Sequence, residues 1–219
     1  VIRIVLVDDQ QLFRGGVRVA LDAQTDMEVV GEASNGREGL QVIGETQPDI
    51  VLLDMRMPVM DGVETVQALF GPNGPATPPR VIVLTTFALD AAAATAIRNG
   101  ASGFLLKDST PAFLTAAIRA VHAGSAVLAP DELGQLFSAD VSAAPTPAAV
   151  PAPLEFQSLT TRERAIFTLA ARGLSNSEIA AHEYVSESTV KSHISSVLGK
   201  LSLRDRVQLV VYAHDNQLL

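Results

Sequence analysis

Through its first 123 residues the chain alternates short apolar, β-branched runs with amphipathic ones, and this alternation restricts the fold more than any other feature. The strand-like runs fall at residues 2–7, 28–33, 50–53, 81–84 and 103–106, with helical patterns between and after them at 11–23, 36–46, 61–69, 90–99 and 110–123. Strands that alternate with helices form βαβ units and a parallel sheet covered on both faces. Pro58, Gly62 and Gly100 sit in the expected connections, and residues 71–79, rich in Gly and Pro, predict an exposed loop.

The alternation then stops. Residues 139–153 hold four prolines, almost no charge and no apolar period, which predicts an extended or semi-rigid linker. From residue 158 the pattern is all helical. Thr160 with Glu163 and Ser175 with Glu178 are capping-box pairs that open two helices, and Gly173 ends the first of them. Ser186 is placed to cap a third helix running to about residue 201, and a fourth covers about 205–217. The expected organisation is therefore an α/β domain at 1–123, a linker at 124–157 and an all-α helical domain at 158–219.

Charge is divided along the same lines. The net charge of −8 splits into −5 for residues 1–123, −4 for 124–157 and +1 for 158–219. Only the last region could meet a polyanion, and its small excess predicts modest DNA affinity per monomer. The absence of Cys excludes disulfides and thiolate metal sites. No apolar run approaches the roughly 20 residues of a membrane helix, and the short apolar run of the first seven residues is followed by two acids rather than by a signal-peptide pattern. A soluble cytoplasmic protein without membrane contact is expected.

In a parallel α/β sheet, ligands bind beyond the carboxyl ends of the strands. The residues at those ends are Asp8 and Asp9, Asp54, Thr85 and Lys107. Clustered carboxylates repel one another unless a cation sits among them. Magnesium prefers oxygen ligands and keeps several waters, so the cluster suits Mg²⁺. One carboxylate could then attack phosphorus to form an acyl phosphate, while Lys107 neutralises the phosphoryl oxygens and Thr85 hydrogen-bonds one of them. Taken singly, an Asp pair is a solvated turn, a Thr ends a strand and a Lys lies on the surface. The signal is their joint placement at four strand ends.

Four motifs carry a resemblance: Ile-Val-Leu-Val-Asp-Asp at residues 4–9, Val-Leu-Leu-Asp-Met-Arg-Met-Pro-Val-Met-Asp-Gly at 51–62, Leu-Thr-Thr-Phe at 84–87, and Gly-Ala-Ser-Gly-Phe-Leu-Leu-Lys-Asp at 100–108. In order and spacing they resemble a response-regulator receiver of the flavodoxin-like, doubly wound, five-stranded type. The resemblance implies that Asp54 is the phosphoacceptor, that Asp8, Asp9, Asp54 and the backbone carbonyl of Arg56 hold Mg²⁺, and that Thr85 and Lys107 read the phosphoryl group. It also implies that Phe104 is the aromatic position that turns inward on activation, although a lone Phe is as readily core. Many receivers have a cis proline after the active-site Lys. Here Asp108 follows and Pro comes only at Pro111, and a cis bond before a non-proline costs about 3 kcal/mol. The Lys-Asp pair resembles the NarL/FixJ subgroup.

The third C-terminal helix buries Val190, Ile194, Val197, Leu198 and Leu201 at helical spacing and turns Ser188, Lys191, Ser192, Ser195, Ser196 and Lys200 the other way. Small hydroxyls with spaced cations suit phosphates and base edges. Leu-Thr-Thr-Arg-Glu-Arg at 159–164, Gly-Leu-Ser-Asn-Ser-Glu-Ile-Ala at 173–180, Val-Ser-Glu-Ser-Thr-Val-Lys-Ser-His-Ile at 185–194 and Lys-Leu at 200–201 resemble the LuxR-type helix-turn-helix. That resemblance puts residues 187–201 in the major groove, with Lys191, Ser192 and His193 closest to DNA and Thr189 and Lys200 on phosphates. His193 has an equal reading as a packed core histidine. Val207, Val210, Val211 and His214 share one face of the last helix, as core or as a dimer contact, and the resemblance favours the dimer.

The whole is similar to a two-component transcription regulator. Its implied partners are a sensor histidine kinase, promoter DNA and a second copy of the chain, with RNA polymerase open as a fourth. The receiver would act as an enzyme only on its own phosphoryl group. Two other readings exist. An aspartyl-phosphate phosphatase or transferase would share the Asp and Mg²⁺, but it would place a second Asp two residues after the nucleophile on the first strand, where this chain has Asp8-Asp9-Gln10-Gln11. A regulator controlled by a ligand or partner without phosphorylation would have no use for the complete acidic set.

Overall fold

In a computed structural model of the chain, residues 1–86, 91–124 and 153–219 are described. The chain divides into two compact units, Val1–Val127 and Leu128–Leu219, each taken by itself. All but the last residue of the proline-rich run at 139–153, and most of the expected linker, lie outside the described residues.

In the first unit the strands are β1 (Ile2–Val7), β2 (Met27–Ala33), β3 (Ile50–Asp54), β4 (Arg80–Thr85) and β5 (Gly103–Leu106). All pairings are parallel, in the order β2-β1-β3-β4-β5. The helices are α1 (Gln11–Asp22), α2 (Gly36–Thr46), α3 (Gly62–Phe70), α4 (Ala91–Arg98) and α5 (Pro111–His122). This is the doubly wound five-stranded sheet that the alternation predicts. Buried on both faces, β3 and β4 read as continuous apolar runs rather than alternating ones. One face packs Ile4, Leu6, Ile50, Leu52, Ile82 and Leu84 against Leu21, Leu114 and Ile118 of α1 and α5.

Helix starts are set by side chains that satisfy free backbone N–H groups. Asn35 accepts from the N–H of Glu38 at 3.0 Å, and Asp61 forms a capping box with Glu64. Thr110 caps α5, with Pro111 at its first turn. Neither Asp61 nor Thr110 is itself helical, so the helices begin one residue later than the sequence pattern suggests.

The second unit holds α6 (Leu154–Gln157), α7 (Thr161–Ala171), α8 (Asn176–Glu183), α9 (Glu187–Lys200) and α10 (Arg206–Asp215). Both expected capping boxes are present, Thr160 with Glu163 and Ser175 with Glu178. Ser186 caps α9 through the N–H of Thr189, and Asp205 caps α10 through that of Gln208. The core gathers Ile166 and Phe167 of α7, Ile179 of α8, Val190, Ile194 and Val197 of α9, and Leu209 and Ala213 of α10. No sequence signal marked the single turn of α6, which packs Phe156 edge-on against Phe167 with ring centroids 5.0 Å apart.

Candidate functional site

The order of the sheet decides where the acidic residues meet. The chain runs outward from β1 to β2 and then crosses back to β3 on the other side of β1. Helices leave on opposite faces at that reversal and open a crevice beyond the strand ends. Asp8 follows β1 and Asp54 ends β3, so both stand at the crevice.

Lys107, just past the end of β5, lies between them. Its ammonium is 2.7 Å from Asp8 Oδ2 and 2.9 Å from Asp54 Oδ2, with all three side chains buried. The N–H of Lys107 donates to the carbonyl of Thr85 at 2.7 Å, which ties the ends of β4 and β5 together. The Phe13 ring of α1 lies 4.9 Å from the same ammonium. No peptide bond among the described residues is cis, so the chain turns at Asp108 without one.

Asp8 Oδ1 accepts from the N–H of Gln10 at 2.8 Å, and the Arg14 guanidinium holds the Asp8 carbonyl. Asp8 Oδ2 is buried and has no hydrogen-bond donor beyond the Lys107 ion pair. Asp9 is exposed, and one oxygen from each of Asp8, Asp9 and Asp54 lies within 4.8 Å of the others. An all-carboxylate donor set of this kind fits a hard divalent cation such as Mg²⁺.

Burial pushes the Asp54 carboxyl up from its ordinary range. The Lys107 ammonium pulls against that shift, and the Asp8 charge adds to it. Lys107 is therefore what favours the charged form of Asp54. The N–H of Arg56 approaches Asp54 Oδ1 at 3.4 Å. Thr85 and Phe104 are both buried, on neighbouring strands. Gly62 starts α3 directly against Asp54, where a Cβ would stand 2.6 Å from the Asp54 carbonyl oxygen. The sequence pattern placed Gly62 only in a connection. The contacts of Gln10, Phe13 and Arg14 had no signal in the sequence.

In the second unit, Lys191 and Ser192 are exposed on α9, and Thr189 and His193 are partly buried. Thr189 Oγ1 is 2.8 Å from Ser186 Oγ, and Ser192 donates to the carbonyl of Ser188 at 3.0 Å. Lys200 is engaged with Glu163 of α7, 2.7 Å from Nζ to Oε2, and Ser196 donates to the other Glu163 oxygen at 2.6 Å. Those donors, with the Thr160 N–H, hold the Glu163 carboxyl down at about 2. On α10, Val207, Val210 and Val211 are buried and His214 is partly buried. Arg206, at the start of the same helix, donates to Asn176 Oδ1 at 3.0 Å and to the Leu174 carbonyl, which fixes α10 to the connection between α7 and α8 and to the start of α8.

Comparison with known proteins covers both units. Residues 4–119 match the response regulator receiver domain, and residues 157–213 match the luxR family of bacterial regulatory proteins. The transcriptional regulatory protein LiaR of Bacillus subtilis (strain 168) is 38% identical over 218 residues, covering 100% of this chain and 99% of that one. The nitrate/nitrite response regulator protein NarL of Escherichia coli (strain K12) is 35% identical over 215 residues, covering 98% and 96%. Among solved structures, the response regulator ChrA of a heme-sensing two-component system is 34% identical with a TM-score of 0.51, covering 100% of this chain and 98% of that one.

Proposed function

Because this chain belongs to the response regulators that join a receiver domain to a LuxR-type DNA-binding domain, we propose that a sensor histidine kinase phosphorylates Asp54 in the cytoplasm and that the acyl phosphate controls dimerisation and DNA binding. The protein is a two-component transcription regulator. We assign residues 1–123 to the receiver and 158–219 to the DNA-binding domain, with α6 packed on the latter, so that the linker expected at 124–157 ends before Leu154. Among the described residues no helix is long and apolar enough to cross a membrane.

The observation that carries this reading is the buried contact of Lys107 with Asp54 and Asp8 where the strand order reverses. An Asp54 carboxylate oxygen attacks phosphorus, the bond from phosphorus to the donor imidazole breaks, and the imidazole leaves with its electron pair. Asp8, Asp9, Asp54 and the Arg56 carbonyl would hold Mg²⁺, which when bound neutralises charge on the phosphoryl oxygens. Lys107 exchanges its Asp54 oxygen for a phosphoryl oxygen, and the Thr85 hydroxyl takes another. Hydrolysis at the same site reverses the modification, and this is the only catalysis assigned to the receiver.

Thr85 and Phe104, on one face of neighbouring strands and two register positions apart, form the two-state element that the new charge biases. On the DNA side, Lys191, Ser192 and His193 lie nearest the bases, and Thr189 and Lys200 lie on phosphates. Lys200 uses one of its three donors on Glu163 and keeps the others for DNA. Dimerisation through Val207, Val210, Val211 and His214 requires the three valines to become accessible, and it doubles a weakly basic surface. RNA polymerase is the partner such a dimer would address at a promoter.

The test is sedimentation and DNA binding of the full chain before and after treatment with Mg²⁺ and acetyl phosphate, beside Asp54→Ala. Wild type shifting to dimer with tighter DNA binding, and Asp54→Ala doing neither, is the expected result. Fully regulated DNA binding by Asp54→Ala would point instead to control by a ligand or protein partner.

A further inference from the structure

The turn of the helix-turn-helix carries a side chain that the packing of the unit does not use. Tyr184 is 95% exposed, and its backbone is left-handed with φ 55°. Both features work against stability. A side chain with a Cβ is strained in that region, and an exposed ring gains nothing from burial. A Gly or Asn would serve the turn better.

The turn is nevertheless firmly held. The N–H groups of Tyr184 and Val185 both donate to the Ala180 carbonyl, the latter at 3.0 Å. Arg162 reaches from α7 to Glu183, donating to its carbonyl at 2.9 Å and pairing with its carboxylate. Val185 packs against the core of the unit. The aromatic ring is thus presented from a fixed backbone, two residues before the Ser186 cap of α9. The neighbouring Glu183 carboxylate, which would repel a phosphate, is already neutralised by Arg162.

When a helix-turn-helix docks, the second helix points its N-terminal residues at base edges and the first crosses the sugar–phosphate backbone. The turn between them therefore passes close to that backbone. Tyr hydroxyls are among the side-chain groups that contact phosphate oxygens, and such contacts position the protein without reading sequence. We propose that Tyr184 is a DNA-binding residue, its phenol donating to a phosphate that flanks the bases faced by α9. The inference rests on α9 being the DNA-facing helix. It explains the strained backbone as a conformation retained for function rather than for folding.

The experiment measures binding of the full-length protein to a random-sequence duplex at low salt and to duplexes enriched from a randomised pool. Wild type, Tyr184→Gly, Tyr184→Phe and Lys191→Ala are compared. The chain has two Tyr and no Trp, so in Tyr184→Gly the fluorescence of Tyr212 alone reports unfolding of the helical unit. Expected is binding about tenfold weaker for Tyr184→Gly on every duplex, the scale of a lost hydrogen bond to a charged group. Its unfolding midpoint should stand at or above that of wild type. Tyr184→Phe should lose affinity with the ranking of duplexes unchanged. Wild-type affinity in Tyr184→Gly, beside a loss in Lys191→Ala, overturns the role of Tyr184 alone. If Tyr184→Gly unfolds the helical unit, Tyr184→Phe decides, and wild-type affinity in that variant overturns the phosphate contact. A wild type that binds no duplex removes the reading of α9 and this inference with it.

Discussion

The ammonium of Lys107 lies 2.9 Å from Asp54 Oδ2, with both side chains buried. Removing one member of such a pair leaves an uncompensated charge in a low-dielectric site, which costs about 3–5 kcal/mol. Lys107→Met leaves two carboxylates, Asp8 and Asp54, facing each other. The receiver of this variant is expected to unfold at markedly lower urea concentration, and added Mg²⁺ should recover more stability in the variant than in wild type. Urea titrations by far-UV circular dichroism, with and without Mg²⁺, check this. Equal stability of the two proteins would mean that Lys107 does not balance the site.

Gly62 bears on Asp54 from the backbone side. A Cβ there would stand 2.6 Å from the Asp54 carbonyl oxygen and 2.8 Å from Met55 Cα, and both of these are backbone atoms. Gly62→Ala must therefore displace the acceptor strand, at a cost of about 1–3 kcal/mol typical of overpacking. Slower phosphorylation by acetyl phosphate and a lower unfolding midpoint are expected together. A variant with the wild-type rate would show that the close approach does not matter.

The strands and helices of the first unit were legible because a parallel sheet writes contiguous apolar runs into the sequence. β1, α2 and β5 have the expected bounds, and the other elements differ mostly by a residue at an end. β3 and β4 extend one residue further than the apolar runs, because Asp54 and Thr85 remain in the ladder, with Asp54 opposite Leu84. The meeting of Asp8, Asp54 and Lys107 followed from their places at strand ends, while the role of Asp54 came from resemblance.

Long-range polar contacts were not legible. Ser196 and Lys200 read as solvent-facing on α9, and nothing local reveals that Glu163, more than thirty residues earlier, comes beneath them. The capping-box pattern found Glu163 only as a helix start. In the same way, a helical wheel groups Val207, Val210 and Val211 on one face, but periodicity alone does not separate a core face from a dimer face.

Glu163 supplies a pH dependence. Its carboxyl is held at about 2, against an ordinary value of 4.5, first by Lys200 and then by Ser196 and the Thr160 N–H. A lowered folded-state value means that its contribution to stability is complete above about pH 4.5 and is lost as pH falls toward about 2. Tyrosine fluorescence should show the helical unit of wild type weakening through that window. Glu163→Gln should start less stable at neutral pH and lose less on acidification. Parallel acid profiles for the two proteins would contradict the clamp.

Val59 carries backbone strain in the loop between β3 and α3. Its φ is 71°, a conformation that β-branched residues rarely take, and its side chain is 73% exposed. Val59→Gly relieves the strain and loses no packing, so the receiver should gain about 1 kcal/mol. Urea denaturation checks this. A less stable variant would mean that the Val59 side chain makes a contribution its exposure does not suggest.

Phosphoryl transfer to Asp54 underlies every step of the proposed function. Intact-mass measurement of the full chain after incubation with Mg²⁺ and acetyl phosphate tests it most directly, with Asp54→Ala run in parallel. A single phosphoryl adduct on wild type and none on the variant is the expected result. An adduct on both proteins, or on neither under varied conditions, would contradict it.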